Sequence, residues 1–462
     1  MAPAHTTTRA QIPHVSGGGR ILGHLQALRH DPVSLLTRVQ RECGEVGEYR
    51  LLDQPMVLLT GERAQEAFFR ARDEELDPQP TANRIMKPIF GEGVVYDLPP
   101  ERRRETLRSP ALRDENLRKS AGRIAEETER MLDGLGDEGE MDLLDFTTEL
   151  TIYTSSATLV GPSFRAALTP EFAHAYHDLE KGTDAAGYVD ATLPVEPFLR
   201  RDRARRRLVE LIEAVIAARR LSGEAPRDML QALLTLTDEA GKPRFSPDQI
   251  TGILVSTMFA GHHTSSATSA WTLVELLRHR EHLARVLAEL ERLHASEPDV
   301  TYQALREIPF LENAIKETLR LHPPLVLLLR TAMVDFEYGG RRIEAGKVVT
   351  VSPAVSHRDA SCFQEPERFD PDRYAEGREE DRRHPWAYIP FGGGPHRCLG
   401  ANFAMIQLKA IFSILLRRYE FELVAPPASY TDDHSKMIVL PKQPCRVRYH
   451  ARAAPRRASP AA

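Results

Sequence analysis

The sequence is poor in cysteine: four in 462 residues, at positions 43, 362, 398 and 445. They lie far apart, so they read neither as a disulfide framework nor as a paired zinc-ligand spacing, and a reducing intracellular compartment fits. Long apolar runs are missing too. The longest candidate, Ile250 to Leu277, is interrupted by GHHTSS. Nothing approaches the roughly 18 uninterrupted apolar residues that a bilayer crossing needs, so no transmembrane anchor is expected. Nor is there an excess of positive charge. With 61 basic and 66 acidic residues the formal net charge is −5, which gives no electrostatic case for binding nucleic acid. The start, MAPAHTTTRAQIPHVSGGG, has no apolar core behind a basic segment and does not read as a secretion signal. The expectation is a soluble, cytoplasmic protein.

What is present is a large apolar share, 42% of residues, arranged mostly in helical periods. Asp31 before Pro32 and the stripe Leu35, Leu36, Val39 mark a helix start. GEYRLLDQPMVLLTG reads as a hairpin with Asp53, Gln54 and Pro55 in its turn. Helices follow from Arg102 through the 230s. Ile250 to Leu277 reads as a central helix buried on all sides, and Leu311 to Leu321 as another, stopped by Pro323-Pro324. FEYGGRRIEAGKVVTVSP reads as a second small strand region, and a last helix runs from Ala401 to Tyr419. The expected fold is mainly α with small β-sheets. One catalytic domain is expected over residues 20–450, with flexible segments at 1–19 and 451–462.

Near the C-terminus stands FGGGPHRCLG. Its glycines let the backbone pass close to a flat ligand where a Cβ would collide. Cys398 lies just before a helix, whose N-terminal amides favour a thiolate. Gly400 leaves room for that helix, Phe391 offers an apolar wall on the sulfur side, and His396 is placed to donate to a carboxylate such as a haem propionate. A lone cysteine in a Gly-rich turn is more often plain core; the ordered set of Phe, Gly, His, Cys and Gly argues otherwise.

This stretch resembles the haem-binding signature of the cytochrome P-450 family, with Phe391, Gly394, Cys398 and Gly400 each matching. The resemblance implies the cytochrome P-450 fold, with haem b (iron protoporphyrin IX) held between a long central helix and the Cys loop. Cys398 would be the iron ligand. In KETLR, Glu317 and Arg320 share a helix face, a pair worth about 0.2–0.5 kcal/mol if exposed. The resemblance instead implies a buried structural cluster completed by Arg368 of PERF. On the central helix, Thr264 can bond to a carbonyl one turn back and bend the helix. The opened groove would let its hydroxyl guide protons for O–O cleavage while the thiolate pushes from the other side. Small residues Ala260 and Gly261 would let this helix lie close over a haem face. Where many members carry Asp or Glu, this chain has His263, an imidazole suited to a proton relay; His262 reads as a satisfied core histidine.

The run AGHHTSS resembles the central-helix signature of the sterol 14α-demethylases. PIFGEGVVYD, ELTIYTSS, KETLRLHPPL and DHSKM agree with the same group, closest to its soluble bacterial members. By position, the resemblance puts Phe90, Phe259, His263, Leu325 and Met437 around the substrate. It puts Arg330, His396 and an arginine of ERRRE (Arg103 first, Arg104 second) on haem propionates. One departure is clear. The group's usual pocket Tyr falls on Asn83, and a nearby aromatic position on Ile85, which leaves a changed or relaxed substrate open.

The implied activity is a monooxygenase drawing electrons from NAD(P)H through a ferredoxin and its reductase. It would oxidise a sterol methyl to alcohol, then aldehyde, then formate. The alternatives are another polycyclic or terpenoid substrate, and a non-catalytic haem sensor, against which Thr264 speaks. Arg397, Lys409 and Arg417 are candidates for docking an acidic electron donor, and Arg200 to Arg207 reads as a solvated helix face.

Overall fold

A computed structural model of the chain describes residues 11–98, 114–182, 187, 190–223, 225, 228–238, 240–297 and 299–452. The helix starts follow from caps. The Asp31 carboxylate accepts from the Ser34 amide at 3.0 Å and opens Pro32–Cys43. Ser246 and Gln249 bond reciprocally to open the 32-residue helix Pro247–Arg278. This central helix is buried nearly all round, as an apolar helix with no polar face requires. Leu143–Ser155, Glu196–Ser222, Pro309–Leu321 and Ala401–Arg418 pack around it and share one core.

The main sheet has five strands in the order Val46–Leu51, Gln54–Leu59, Val348–Val351, Leu328–Ala332, Leu76–Asp77. Leu51 pairs with Gln54, so the first hairpin turns on Leu52 and Asp53, with Leu52 at φ 53°. Gln54 and Pro55 belong to the strand, not to the turn as expected. The segment after Asp335 also divides differently. Phe336–Tyr338 and Arg341–Ile343 form a local hairpin, whereas Val348–Val351 joins the main sheet, parallel to Gln54–Leu59 and antiparallel to Leu328–Ala332. Its residues are all buried, which suits a central strand. Glu138–Asp142, Arg446–Ala451 and Tyr419–Leu423 make a third sheet.

Two further expectations change. The flexible start does not reach residue 19: Ile12 and Val15 are buried, and the Val15 amide donates to Glu48 O at 2.9 Å. The Arg200 to Arg207 run is not a wholly solvated face either, since Arg201 and Arg205 are buried. Arg205 bonds the Phe90 carbonyl at 3.1 Å and the Asp248 carboxylate at 3.0 Å.

The largest correction concerns the charge cluster. Glu317 and Arg320 pair as expected, at 2.8 and 2.9 Å and with no exposure. The third member is Arg373, whose Nε donates to both Glu317 oxygens at 3.1 and 3.2 Å. Arg368 points outward to Glu365 and contributes only its carbonyl, which accepts from Arg320. Tyr374 Oη and the Asp370 amide complete the carboxylate's shell at 2.9 Å each. Opposite this cluster, His322 is stacked on Trp271 with ring centroids 3.7 Å apart, between Glu275 at 3.3 Å and Asp432 at 3.0 Å. Burial works to lower the His322 pKa, but Asp432 and Glu275 outweigh it and raise it to about 8.

Removing one partner of a buried pair strands a charge, so Arg373→Ala should destabilise the protein by roughly 3–5 kcal/mol. Arg368→Ala should stay within about 0.5 kcal/mol; denaturant titration of both variants checks this. Because His322 binds its proton more tightly when folded, its contribution is complete below its unfolded pKa and is lost as pH rises through about 8. The loss amounts to about 2 kcal/mol. Unfolding at pH 6 and pH 9 should differ by that much more in the wild type than in His322→Gln.

Candidate active site

The Cys398 loop is shaped by close approach. Gly394 has φ 63°, and a Cβ on it would meet the Phe69 carbonyl oxygen at 2.0 Å. Phe69 stacks on Trp386 with centroids 5.9 Å apart, and together they flank Gly393. The Cys398 amide donates to Phe391 O at 2.8 Å, which turns the chain into the helix Ala401–Arg418. Phe391 itself is partly buried against the main core. Burial pushes the Cys398 thiol up, opposed by the Gly400 and Ala401 amides and by Arg397. The two amides are the helix-terminal donors that a thiolate uses. Gly400 leaves Cys398 Sγ as the nearest atom to its would-be Cβ, at 3.8 Å.

Arg330 is next to this loop through Phe68 and Phe69. It is 2% exposed, and its guanidinium stands 4.6 Å over the Phe68 ring. It donates to the carbonyls of Phe68 at 2.7 Å and Ala71 at 3.2 Å, and among the described residues no carboxylate reaches ion-pair distance. Burial lowers its pKa to about 10, against Asp73 and Asp77. A buried cation held only by carbonyls is suited to an incoming carboxylate. His396 Nε2 meets Asp73 Oδ1 at 2.5 Å, so a protein carboxylate stands where a propionate was expected. Arg103 and Arg104 lie outside the described residues.

The central helix runs without interruption through Thr264. Thr257, Ala260, Gly261 and Thr264 keep some exposure within its buried middle. Their spacing of one, three or four residues makes one accessible stripe. The row of hydroxyls mostly bonds backward to carbonyls: Thr257 to Ile253 at 2.8 Å, Thr268 to Thr264 at 2.8 Å, Thr272 to Thr268 at 2.7 Å. Thr264 does so to Ala260 at 3.5 Å, the limit of a hydrogen bond, so it is the least committed of these. Gly261 is explained differently: its Cβ would meet Leu159 Cδ1 at 2.5 Å, so its smallness serves packing against a neighbouring helix.

The two histidines share a partner that no sequence signal had marked. Glu180, buried, receives His262 Nε2 in direct contact and His263 Nδ1 at 3.1 Å. Burial works to raise the Glu180 pKa, but His262 and His263 hold the carboxylate well below its usual range. Thr151 Oγ1 lies 3.3 Å from His262 Nδ1, which accounts for both nitrogens of that ring. His263 Nε2 is buried and has no hydrogen-bond partner among the described residues. Two adjacent imidazoles on an apolar helix imply a buried acid somewhere, but nothing in the chain's order points to residue 180.

The substrate candidates fall into two groups. Phe90 meets Phe259 edge-on at 5.8 Å, Phe259 stacks on His263 at 4.9 Å, and Leu325 packs against the same core. Ile85 and Met437 belong to a second cluster with Val326 and Leu327. Asn83 Nδ2 donates to Asp97 at 2.9 Å, while its Oδ1 is buried without a partner. The docking trio does not form an open patch. Lys409 is buried on Glu312 at 2.6 Å and Arg417 is paired with Glu129 at 2.8 Å, leaving Arg397 exposed.

Among the described residues no helix is long and apolar enough to cross a membrane. The profile of the cytochrome P-450 family matches residues 13–449. A sterol 14α-demethylase of Mycolicibacterium vanbaalenii is 52% identical over 96% of this chain and 99% of its own length. The Mycobacterium tuberculosis protein of the same name is 52% identical over 96% and 98%. A lanosterol 14-alpha demethylase of Bos taurus is 34% identical over 98% and 90%. In fold, retinoic acid bound cyanobacterial CYP120A1 superposes with a TM-score of 0.83 at 22% identity, covering 96% of this chain and all of that one. A thiol-bearing loop of this shape, facing helix-terminal amides inside a fold and a full-length sequence match of this kind, makes the chain a member of the cytochrome P-450 family.

Proposed function

We propose that this protein is a sterol 14α-demethylase, taking a 14α-methyl sterol through alcohol and aldehyde to the demethylated product and formate. Relatives bearing that name at 52% identity over nearly their whole length support the substrate class. The observation that carries the chemistry is the shared Phe68–Phe69 platform. It adjoins both the Cys398 loop and the buried Arg330 guanidinium. Haem b fits those residues: Cys398 would ligate iron, Arg330 would hold a propionate, and Phe391, Gly394 and Gly400 would leave it room. Arg103 or Arg104 would take the other propionate. When bound, the group supplies activation of dioxygen by iron with electron push from the thiolate.

The protein's own residues supply position and protons. Glu180 fixes His263 by its Nδ1, so Nε2 is the nitrogen available to pass a proton on. Thr264, with its loosely held hydroxyl, would receive that proton and present it on the accessible stripe. Phe90, Phe259 and Leu325 would give the apolar wall, with Ile85 and Met437 at its other edge. Electrons would come from NAD(P)H by way of a ferredoxin and its reductase, in the cytoplasm of a bacterium. One observation favours a second reading, another polycyclic terpenoid as substrate: Asn83 is committed to Asp97 where the resembled group has an aromatic wall.

Titrating the haem-loaded protein with a 14α-methyl sterol should shift the iron toward high spin, and turnover should release formate. A sterol without that methyl should give no formate. A triterpenoid that shifts the spectrum while 14α-methyl sterols do not would favour the second reading. Loss of the red-shifted CO band in Cys398→Ser, with retention in the wild type, checks the ligand. Glu180→Gln should keep that band yet lower turnover by roughly 10–100-fold, the usual range for a residue that orients a functional histidine. Thr264→Ala should divert electrons to peroxide; stopped-flow and peroxide assays read both.

A further inference from the structure

One helix start and two loops bring a thiol, an imidazole and a carboxylate together. Glu62 opens the helix Glu62–Arg70, Cys362 follows the short helix Pro353–Ser356, and His384 lies just before Trp386. The donor atoms of Glu62, Cys362 and His384 all lie within 4.8 Å of one another. His384 Nδ1 is 3.0 Å from Glu62 Oε2. Both side chains are about one-third exposed, at 33% and 31%. Cys362 is half-buried.

We infer that Glu62, Cys362 and His384 form a zinc site, unrelated to the Cys398 loop. Tetrahedral zinc with bonds of about 2.0–2.3 Å sets its ligands about 3.3–3.8 Å apart. The three donors, within 4.8 Å of one another, would have to draw in by up to about 1 Å, and the metal would take the place of the His384–Glu62 contact. A sulfur, nitrogen and oxygen set suits zinc over magnesium or calcium, which prefer oxygen alone. Asp359 adds negative charge nearby: its carboxylate accepts from Ser361 Oγ at 2.6 Å, and that hydroxyl lies 3.6 Å from Cys362 Sγ. Burial raises the Cys362 thiol, Ser361 works against it, and Asp359 and Glu62 raise it further. On binding, the thiol proton leaves to solvent and the sulfur ligates as thiolate. Partial exposure leaves the fourth position to water and gives the ion a way in.

The consequence is a staple. The helix Glu62–Arg70 carries Phe69, which flanks Gly393 and Gly394, and Trp386 two residues after His384 stacks on the same Phe69. Zinc would join the start of that helix to the segment leading into the Cys398 loop.

The test uses untagged haem-loaded protein, stripped with EDTA and labelled with a maleimide, each thiol being followed by peptide mass spectrometry. Cys43 and Cys445 are buried and serve as internal references. Without metal Cys362 should label faster than the buried Cys43 and Cys445, and a few equivalents of zinc should slow it at least tenfold, while magnesium should not. In Glu62→Gln/His384→Ala, Cys362 should label whether or not zinc is present. Calorimetry should find one zinc per chain in the wild type, with a proton released, and none in Cys362→Ala. Labelling that zinc leaves unchanged, equal protection in the double variant, or a Cys362 that resists label without metal would each overturn the site. The last would deny the ion its path.

Discussion

One carboxylate, that of Glu317, organises the half of the molecule that carries Cys398. It has no exposure and is shared by two guanidiniums that have none either. A buried ion pair contributes little net stability unless its remaining donors are satisfied, and here they are. Arg320 also donates to the carbonyls of His357 at 2.8 Å and Pro366 at 2.5 Å, and Arg373 to Gln364 O at 2.8 Å and the Glu380 carboxylate at 2.6 Å. The stretch from 357 to 390 is mostly irregular backbone, whose buried carbonyls have no sheet or helix ladder to pair with. The arginines substitute for that ladder. The same stretch delivers Trp386 to Phe69 and then enters the glycine loop. The position of the sulfur therefore depends on charge pairing some distance away in the chain.

The central helix solves the opposite problem. It must be apolar enough to lie in the core and yet carry proton-handling groups. Most of its threonines and serines hide their hydroxyls on their own backbone, although Ser269 Oγ is buried without a partner among the described residues. Imidazoles cannot do this, being too large and having two nitrogens to satisfy. His262 and His263 take a carboxylate from another helix, and three of their four nitrogens find partners. The fourth, His263 Nε2, is left over on the same helix turn as Thr264. Polar groups inside a packed core are mostly paired; Ser269 Oγ and Trp271 Nε1 of the same helix share this lack, and the proposed proton path would account for it at His263 alone.

Much of this was legible in the chain itself because local rules govern it. Caps at Asp31 and Ser246, the apolar length of the central helix, and the Gly-x-His-x-Cys order of the loop depend on neighbours within a turn or two. What was not legible depends on distance in sequence. Glu180 meets histidines more than 80 positions later. Arg368 was read into the cluster and Arg373 was not, because only the packed loop about fifty residues after Glu317 decides which arginine turns inward. Val348–Val351 looked like part of a local strand pair, yet pairs with Gln54–Leu59 from the other end of the chain. Lys409, read as a surface cation, is buried because its helix is enclosed on nearly every side.

On the proposed reading, Asn83 would make substrate contacts and oxygen chemistry separable. Its amide nitrogen fastens Asp97, whose other oxygen accepts the Gly93 amide at 2.7 Å and which Lys87 approaches at 3.5 Å. The segment after Phe90 is pressed against the start of the central helix: a Cβ on Gly252 would meet Phe90 O at 2.0 Å, and one on Gly93 would meet Gln249 at 2.6 Å. Exchanging a flat aromatic for Asn83 would thus change the proposed pocket edge near Phe90 and Ile85 while the attachment of that segment is kept by a carboxylate. No hydrogen bond of Asn83 reaches Glu180, His263 or Thr264. A change of substrate along this edge would leave the proton path intact, because the two are held by different elements and meet only at the aromatic chain of Phe90, Phe259 and His263.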